Sequence, residues 1–126
     1  MTSLTRSDVA QMVDHTLLKP EATHADVEKL IADATRLGTF SVCVSPSMLP
    51  IQTPDNLKVA VVCGFPSGAV PTEAKAAEAA WCVNNGADEV DMVINIGAAK
   101  EGNWDAVRED IAAVKKACGD ALLKVI

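Results

Sequence analysis

The chain contains no tyrosine, and only two phenylalanines, two tryptophans and two histidines among 126 residues. With so few rings, a core has to be assembled from Val, Ile, Leu and Ala. His15 and His24 are too few and too separated for a metal cluster. The four cysteines (Cys43, Cys63, Cys82 and Cys118) form no CxxC pair. That spacing argues against a zinc site or a disulfide framework, and for reduced thiols in a cytoplasm. Basic charge is also scarce: the net charge of −6 leaves no basic stripe, so nucleic acid and anionic membrane are poor partners. No apolar run approaches the roughly 20 residues of a membrane span, and Met1-Thr2-Ser3-Leu4-Thr5-Arg6 does not read as a signal peptide. What remains is one soluble α/β domain, 49% hydrophobic and 22% charged.

Strand and helix patterns alternate along the chain. Thr5 or Ser7 offers a cap for a short first helix, followed by a strand near Met12 to Leu17. Thr23 and Asp26 open a second helix, with Val27, Leu30, Ile31, Ala34 and Leu37 at helical spacing and Gly38 as its stop. Phe40 to Val44 and Leu57 to Cys63 read as the second and third strands, separated by a helical turn between Pro46 and Ile51. Pro71-Thr72-Glu73 starts an Ala-rich helix to about Asn84, and the stretch Ala87 to Asn95 is a fourth strand. Asn103 caps a helix striped with Val107, Ile111 and Val114, whose negative end suits Lys115 and Lys116. Leu122 to Ile126 begins a fifth strand. Short connections between alternating elements signify right-handed βαβ units and a parallel sheet. An apolar run left at a sheet edge is sticky, and the chain reads as cut there.

Asp91 lies in the middle of the Val- and Ile-rich fourth strand, where a carboxylate is costly unless something pairs with it or uses it. Lys124 falls mid-strand on the next βα unit. Such a pair in a shared interior is either a proton shuttle or a salt bridge, and the sequence leaves both open. Working residues of parallel α/β folds collect at the carboxyl ends of strands. The polar residues near those ends are Asp14, His15 and Thr16, then Cys43 and Ser45, then Ser67, then Asn95. Asp14 and His15 are adjacent, so their side chains take opposite faces, and Asp14 is read as the inward one. Cys43 reads as a buried, inert thiol. Gly64-Phe65-Pro66-Ser67-Gly68 lacks the Walker lysine and the GxGxxG pattern, and reads as a tight turn rather than an anion cradle.

The segments Asp14 to Pro20, Ser41 to Val44, Gly64 to Ala69, Glu89 to Gly97 and Leu123 to Ile126 occur in this order and spacing in deoxyribose-phosphate aldolases, which this chain resembles over nearly its whole length. One departure is Ser45, where many members carry Asn. The resemblance implies a (β/α)₈ TIM barrel, of which residues 1–126 would be the N-terminal part, about strands one to five. It implies a class I aldol reaction without metal or organic cofactor, joining acetaldehyde and glyceraldehyde 3-phosphate reversibly into 2-deoxyribose 5-phosphate. In that reading Asp91 passes protons through a water to the reacting carbons, and Lys124 is the interior lysine beside it. Asp14, Thr16 and Cys43 line the substrate pocket.

The family's Schiff-base lysine lies on a sixth strand in a Lys-Thr-Ser-Thr-Gly motif, a helper lysine on the seventh, and the phosphate site in loops after strands seven and eight. None of these motifs occurs in the 126 residues, so the chain alone is expected to be inactive. The partners expected are a small phosphorylated sugar or aldehyde, and either further copies or the missing barrel half against the edges of strands one and five. The alternatives are a non-catalytic, self-associating half-barrel module and a receiver-like domain. The receiver reading wants an acidic pair after the first strand to hold Mg²⁺, and only Asp14 is near that place.

Overall fold

The computed structural model describes residues 2–126. In chain order the elements are α1 (Arg6–Ala10), β1 (Asp14–Leu17), α2 (His24–Leu37), β2 (Ser41–Val44), a 3₁₀ turn (Pro46–Met48), β3 (Lys58–Cys63), α3 (Thr72–Asn84), β4 (Glu89–Met92), α4 (Ile96–Lys100), α5 (Trp104–Cys118) and β5 (Leu122–Val125). No helix among the described residues is long and apolar enough to cross a membrane.

The helix starts follow from local chemistry. Thr5 and Thr23 both form reciprocal capping boxes, with Asp8 and Asp26 respectively. At the start of α2, Thr23 Oγ1 accepts from the Asp26 amide at 3.2 Å and Asp26 Oδ2 accepts from the Thr23 amide at 2.8 Å. Gly38 closes that helix by donating its N–H to Ala34 O. Lys115 donates to Gly119 O and Ala121 O, tying down the carbonyl end of α5. Thr23→Ala should cost about 1 kcal/mol of stability, read as a lower urea midpoint with an unchanged slope.

Two boundaries differ from the sequence expectation. The first strand starts at Asp14, not Met12, because Met12 and Val13 donate back to Val9 O and Ala10 O and finish the α1 turn. The fourth strand is four residues rather than nine. The Asn95 side chain accepts from the Ala98 amide and caps α4, a short helix that no sequence pattern announced.

All five strands are parallel, in the spatial order β1-β2-β3-β4-β5. The singly wound order leaves α2, α3 and α5 on one face. There Val42, Val44, Val59, Val61, Val90 and Met92 pack against Val27, Leu30 and Ala34 of α2, Ala79 and Cys82 of α3, and Val114 and Cys118 of α5. Alternation sends the intervening residues to the other face, where Cys43, Ala60, Val62 and Leu18 form a second, smaller apolar cluster. Neighbouring strands lie about 4.8 Å apart, so a flat sheet would hold β1 and β5 roughly 19 Å from each other. Lys124 Nζ of β5 nevertheless lies 2.5 Å from Asp14 Oδ2 of β1. The sheet is therefore curled into a trough, with its second face on the inside.

Outside the trough, α3 and α5 are joined by an ion pair. Lys75 Nζ donates to Asp110 Oδ2 at 2.7 Å, Thr72 Oγ1 donates to Asp110 Oδ1 at 2.8 Å, and neither charged side chain is more than 5% exposed. The Lys75 stem runs beneath the turn that follows β3. A Cβ on Gly64 would come within 3.0 Å of Lys75 Cε, so only glycine lets the turn sit that close. Gly68 ends the same turn at φ +67°, where a Cβ would lie 1.9 Å from Ile94 O. Its N–H closes the loop onto Gly64 O at 2.8 Å. The Gly64–Gly68 segment is thus a tight turn, packed against the chain that leaves β4.

Candidate active site

Strand alternation and register bring the polar residues of the trough together. Asp14 lies beside Ser41, Thr16 beside Cys43, and Asp91 beside Lys124. Glu89, two residues before Asp91, takes the same face one row nearer the amino ends of the strands. Lys124 is the centre of this group. Its Nζ lies 2.5 Å from Asp14 Oδ2, 3.0 Å from Glu89 Oε1 and 3.2 Å from Asp91 Oδ1. Ser41 Oγ donates to the other Asp14 oxygen at 2.6 Å. Cys43 Sγ approaches Asp91 Oδ2 at 3.9 Å.

The contacts are not equivalent. Asp14 receives a directed hydrogen bond from Lys124. Asp91 Oδ1, by contrast, meets the ammonium as a charge contact without an aligned donor, and it is buried. A buried carboxylate oxygen lacking a directed donor is an acceptor in need of a partner.

Three carboxylates around one ammonium cannot all be equally content when ionised. Burial raises the Asp91 pKa, and the charges of Asp14 and Glu89 add to it, against the opposing pull of Lys124. Asp14 ends lower than an ordinary aspartate: burial pushes it up, but hydrogen bonds from Lys124 and Ser41 and the Lys124 charge outweigh that. Burial pulls the Lys124 pKa down, but the Asp14, Glu89 and Asp91 carboxylates around the ammonium outweigh it, and Lys124 ends higher than an ordinary lysine. Its amine stays protonated and is no nucleophile at neutral pH. Burial, then the Asp91 and Asp14 charges, push the Cys43 thiol up to about 12, which leaves it neutral.

The structure gathers Asp14, Asp91, Lys124 and Cys43 in one cluster. Thr16 stands apart on the exposed rim of the trough, its Oγ1 donating to Asp14 O. It lines an open depression with Lys19, Asp26 and Lys29 toward α2. Ser67 and Asn95, also considered from sequence, serve their own turns. Two members of the cluster were missed by sequence reasoning, Glu89 and Ser41. The signal was available, because each lies two residues before a singled-out residue of its strand and so shares its face. Among the described residues no group of His, Cys, Asp and Glu is placed to hold a metal ion.

The pattern of the DeoC/LacD family aldolases matches residues 8–126. The chain belongs to that family. Among curated members, the deoxyribose-phosphate aldolase of Corynebacterium diphtheriae is 65% identical over 123 residues, and that of Kocuria rhizophila 60% identical over 124. These alignments take in 97% and 98% of this chain but 56% and 57% of those proteins, so the chain spans little more than half their length. Among solved structures, the aldolase QR15 superposes with a TM-score of 0.86 at 33% identity, covering 94% of this chain and 54% of that one. The tetrameric deoxyribose phosphate aldolase of Aeropyrum pernix gives 0.75 at 28% identity, covering 96% and 53%. The family architecture is the TIM barrel, and the parallel trough of five strands is a portion of it.

Proposed function

We propose that the trough supplies the proton-transfer half of a class I aldolase site. In a whole enzyme it would act in the reversible cleavage of 2-deoxy-D-ribose 5-phosphate to acetaldehyde and D-glyceraldehyde 3-phosphate. One observation carries this reading: the buried Asp91 Oδ1 faces the trough without a directed donor, beside a permanently charged lysine. Such an acid can take a proton from the substrate hydroxyl as the C–C bond opens, then return one to the carbon released as the methyl group of acetaldehyde. A water between Asp91 and the reacting atoms would carry the transfer. The imine that accepts the electron pair forms on another lysine, which the resemblance places on a sixth strand.

In this reading residues 1–126 are the N-terminal part of one barrel. The support is the 55–57% of their length over which the curated relatives align. β1 and β5 are the strands that would meet the rest of the barrel, and Leu122 and Val125 of β5 are exposed beside that edge.

The other reading, a non-catalytic module with a structural ion network, is favoured by the three carboxylates that hold Lys124. The two separate on borohydride trapping. The full-length polypeptide incubated with acetaldehyde and borohydride should gain one ethyl group, with Lys124 unmodified in the peptide map, and should cleave the sugar phosphate. No adduct and no cleavage would favour the structural reading. An ethyl group on Lys124 would overturn the assignment of its charge.

A further inference from the structure

We infer that Glu89 is a positioning residue, whose carboxylate holds the Lys124 ammonium toward the amino ends of the strands so that Asp91 keeps an oxygen free of any directed donor. The inference rests on Asp91 being the proton carrier. Register makes Asp91 the residue directly beside Lys124, and by that alone the ammonium should bond Asp91 first. It does not. Its two shortest contacts are to Asp14 and Glu89, the first residues of β1 and β4, at 2.5 and 3.0 Å, and Asp91 comes third at 3.2 Å. The ammonium has three N–H donors. Asp14 reaches it from the far wall of the trough, while Glu89 stands on the same strand as Asp91, one row below it. Glu89 is 5% exposed and makes no other ion pair among the described residues. Without it, only Asp14 would compete with Asp91 for the ammonium, which already lies 3.2 Å from Asp91 Oδ1.

The charged and titratable groups that face Asp91 are Asp14 from β1, Cys43 from β2, Glu89 from β4 and Lys124 from β5, while β3 presents Ala60 and Val62 there, with the exposed Lys58 on the same face at its amino end. Replacing Glu89 by glutamine therefore acts on Asp91 in two ways of the same sign. It removes a nearby negative charge and lets the Lys124 ammonium bond Asp91. Both favour the ionised form.

The test is the kinetics of Glu89→Gln in the full-length enzyme, alone and combined with Lys124→Met. Glu89→Gln should lower kcat by about 10- to 100-fold, the order expected when a reacting group is misplaced, with KM little changed. The limb of the pH–rate profile that belongs to Asp91 should move to lower pH. A limb position does not depend on how much of the sample is folded, so a less stable variant still answers. On the Lys124→Met background, adding Glu89→Gln should cost clearly less kcat than it does alone, because the route through the ammonium is gone and only the direct charge effect on Asp91 is left. Unchanged kcat and limb in Glu89→Gln, or an equal kcat loss with and without the lysine, would overturn the inference. Asp91→Asn serves as the reference. If it too is near wild type, the reading of Asp91 fails; if it is inactive while Glu89→Gln is silent, only the role of Glu89 fails.

Discussion

Asp91→Asn, made in the full-length enzyme, is expected to fold normally and lose about 10²–10⁴ of its turnover, the usual worth of a general acid–base group. The substitution is nearly isosteric. Lys124 would still be held by Asp14 and Glu89, so the ion network does not collapse. What disappears is the ability to take up and return a proton at Oδ1, the oxygen that no directed donor serves. The loss should fall on kcat, because in the proposed reaction Asp91 moves a proton and does not grip the phosphate. Release of glyceraldehyde 3-phosphate in a coupled assay gives kcat, and a matching far-ultraviolet spectrum shows that the fold is intact. Exchange of solvent deuterium into the methyl group of acetaldehyde isolates the second proton transfer and should slow by a similar factor. Near-normal cleavage would reduce Asp91 to a counter-ion of Lys124.

Asp110→Ala should cost about 3–5 kcal/mol, the largest stability effect foreseen for any single side chain here. The substitution leaves the Lys75 ammonium, with no exposed surface of its own, without a counter-charge between α3 and α5. It also strips the acceptor from Thr72 Oγ1 at the first turn of α3. The damage would spread to the Gly64 turn, because that turn rests on the Lys75 stem. Removing both charges is a different experiment. Lys75→Met with Asp110→Leu fills similar volume with no ion to desolvate, and buried pairs replaced in this way are often neutral or even more stable. Urea unfolding of the single and double variants checks both statements. A single variant within about 1 kcal/mol of wild type would mean that water reaches Lys75 and that the pair is not closed.

The alternation of Val- and Ile-rich runs with amphipathic stretches was enough to read the order of the elements other than α4, and the parallel sheet, because burial on both faces writes itself into composition. The capping box at Thr23 was legible for a related reason, as both partners lie within three residues, and of the two caps offered for α1 the structure uses Thr5. The period of two along a strand put Asp14 and His15 on opposite faces, and the cost of a mid-strand charge pointed Asp91 and Lys124 to a shared interior. Apart from the Asp91–Lys124 pair, interactions between distant segments were not legible. Nothing near Lys75 in the chain names Asp110, 35 residues away, as its partner. The Lys124–Asp14 contact spans 110 residues and exists only because the sheet curls far enough to bring its two edge strands together. The same curl turned an expected pair, Asp91 with Lys124, into one ammonium shared among three carboxylates. Local pattern determines which residues enter the trough, since side-chain direction is a property of each strand alone. Which of them touch, and which oxygen is left without a donor, is decided by curvature and register, which belong to the assembled sheet.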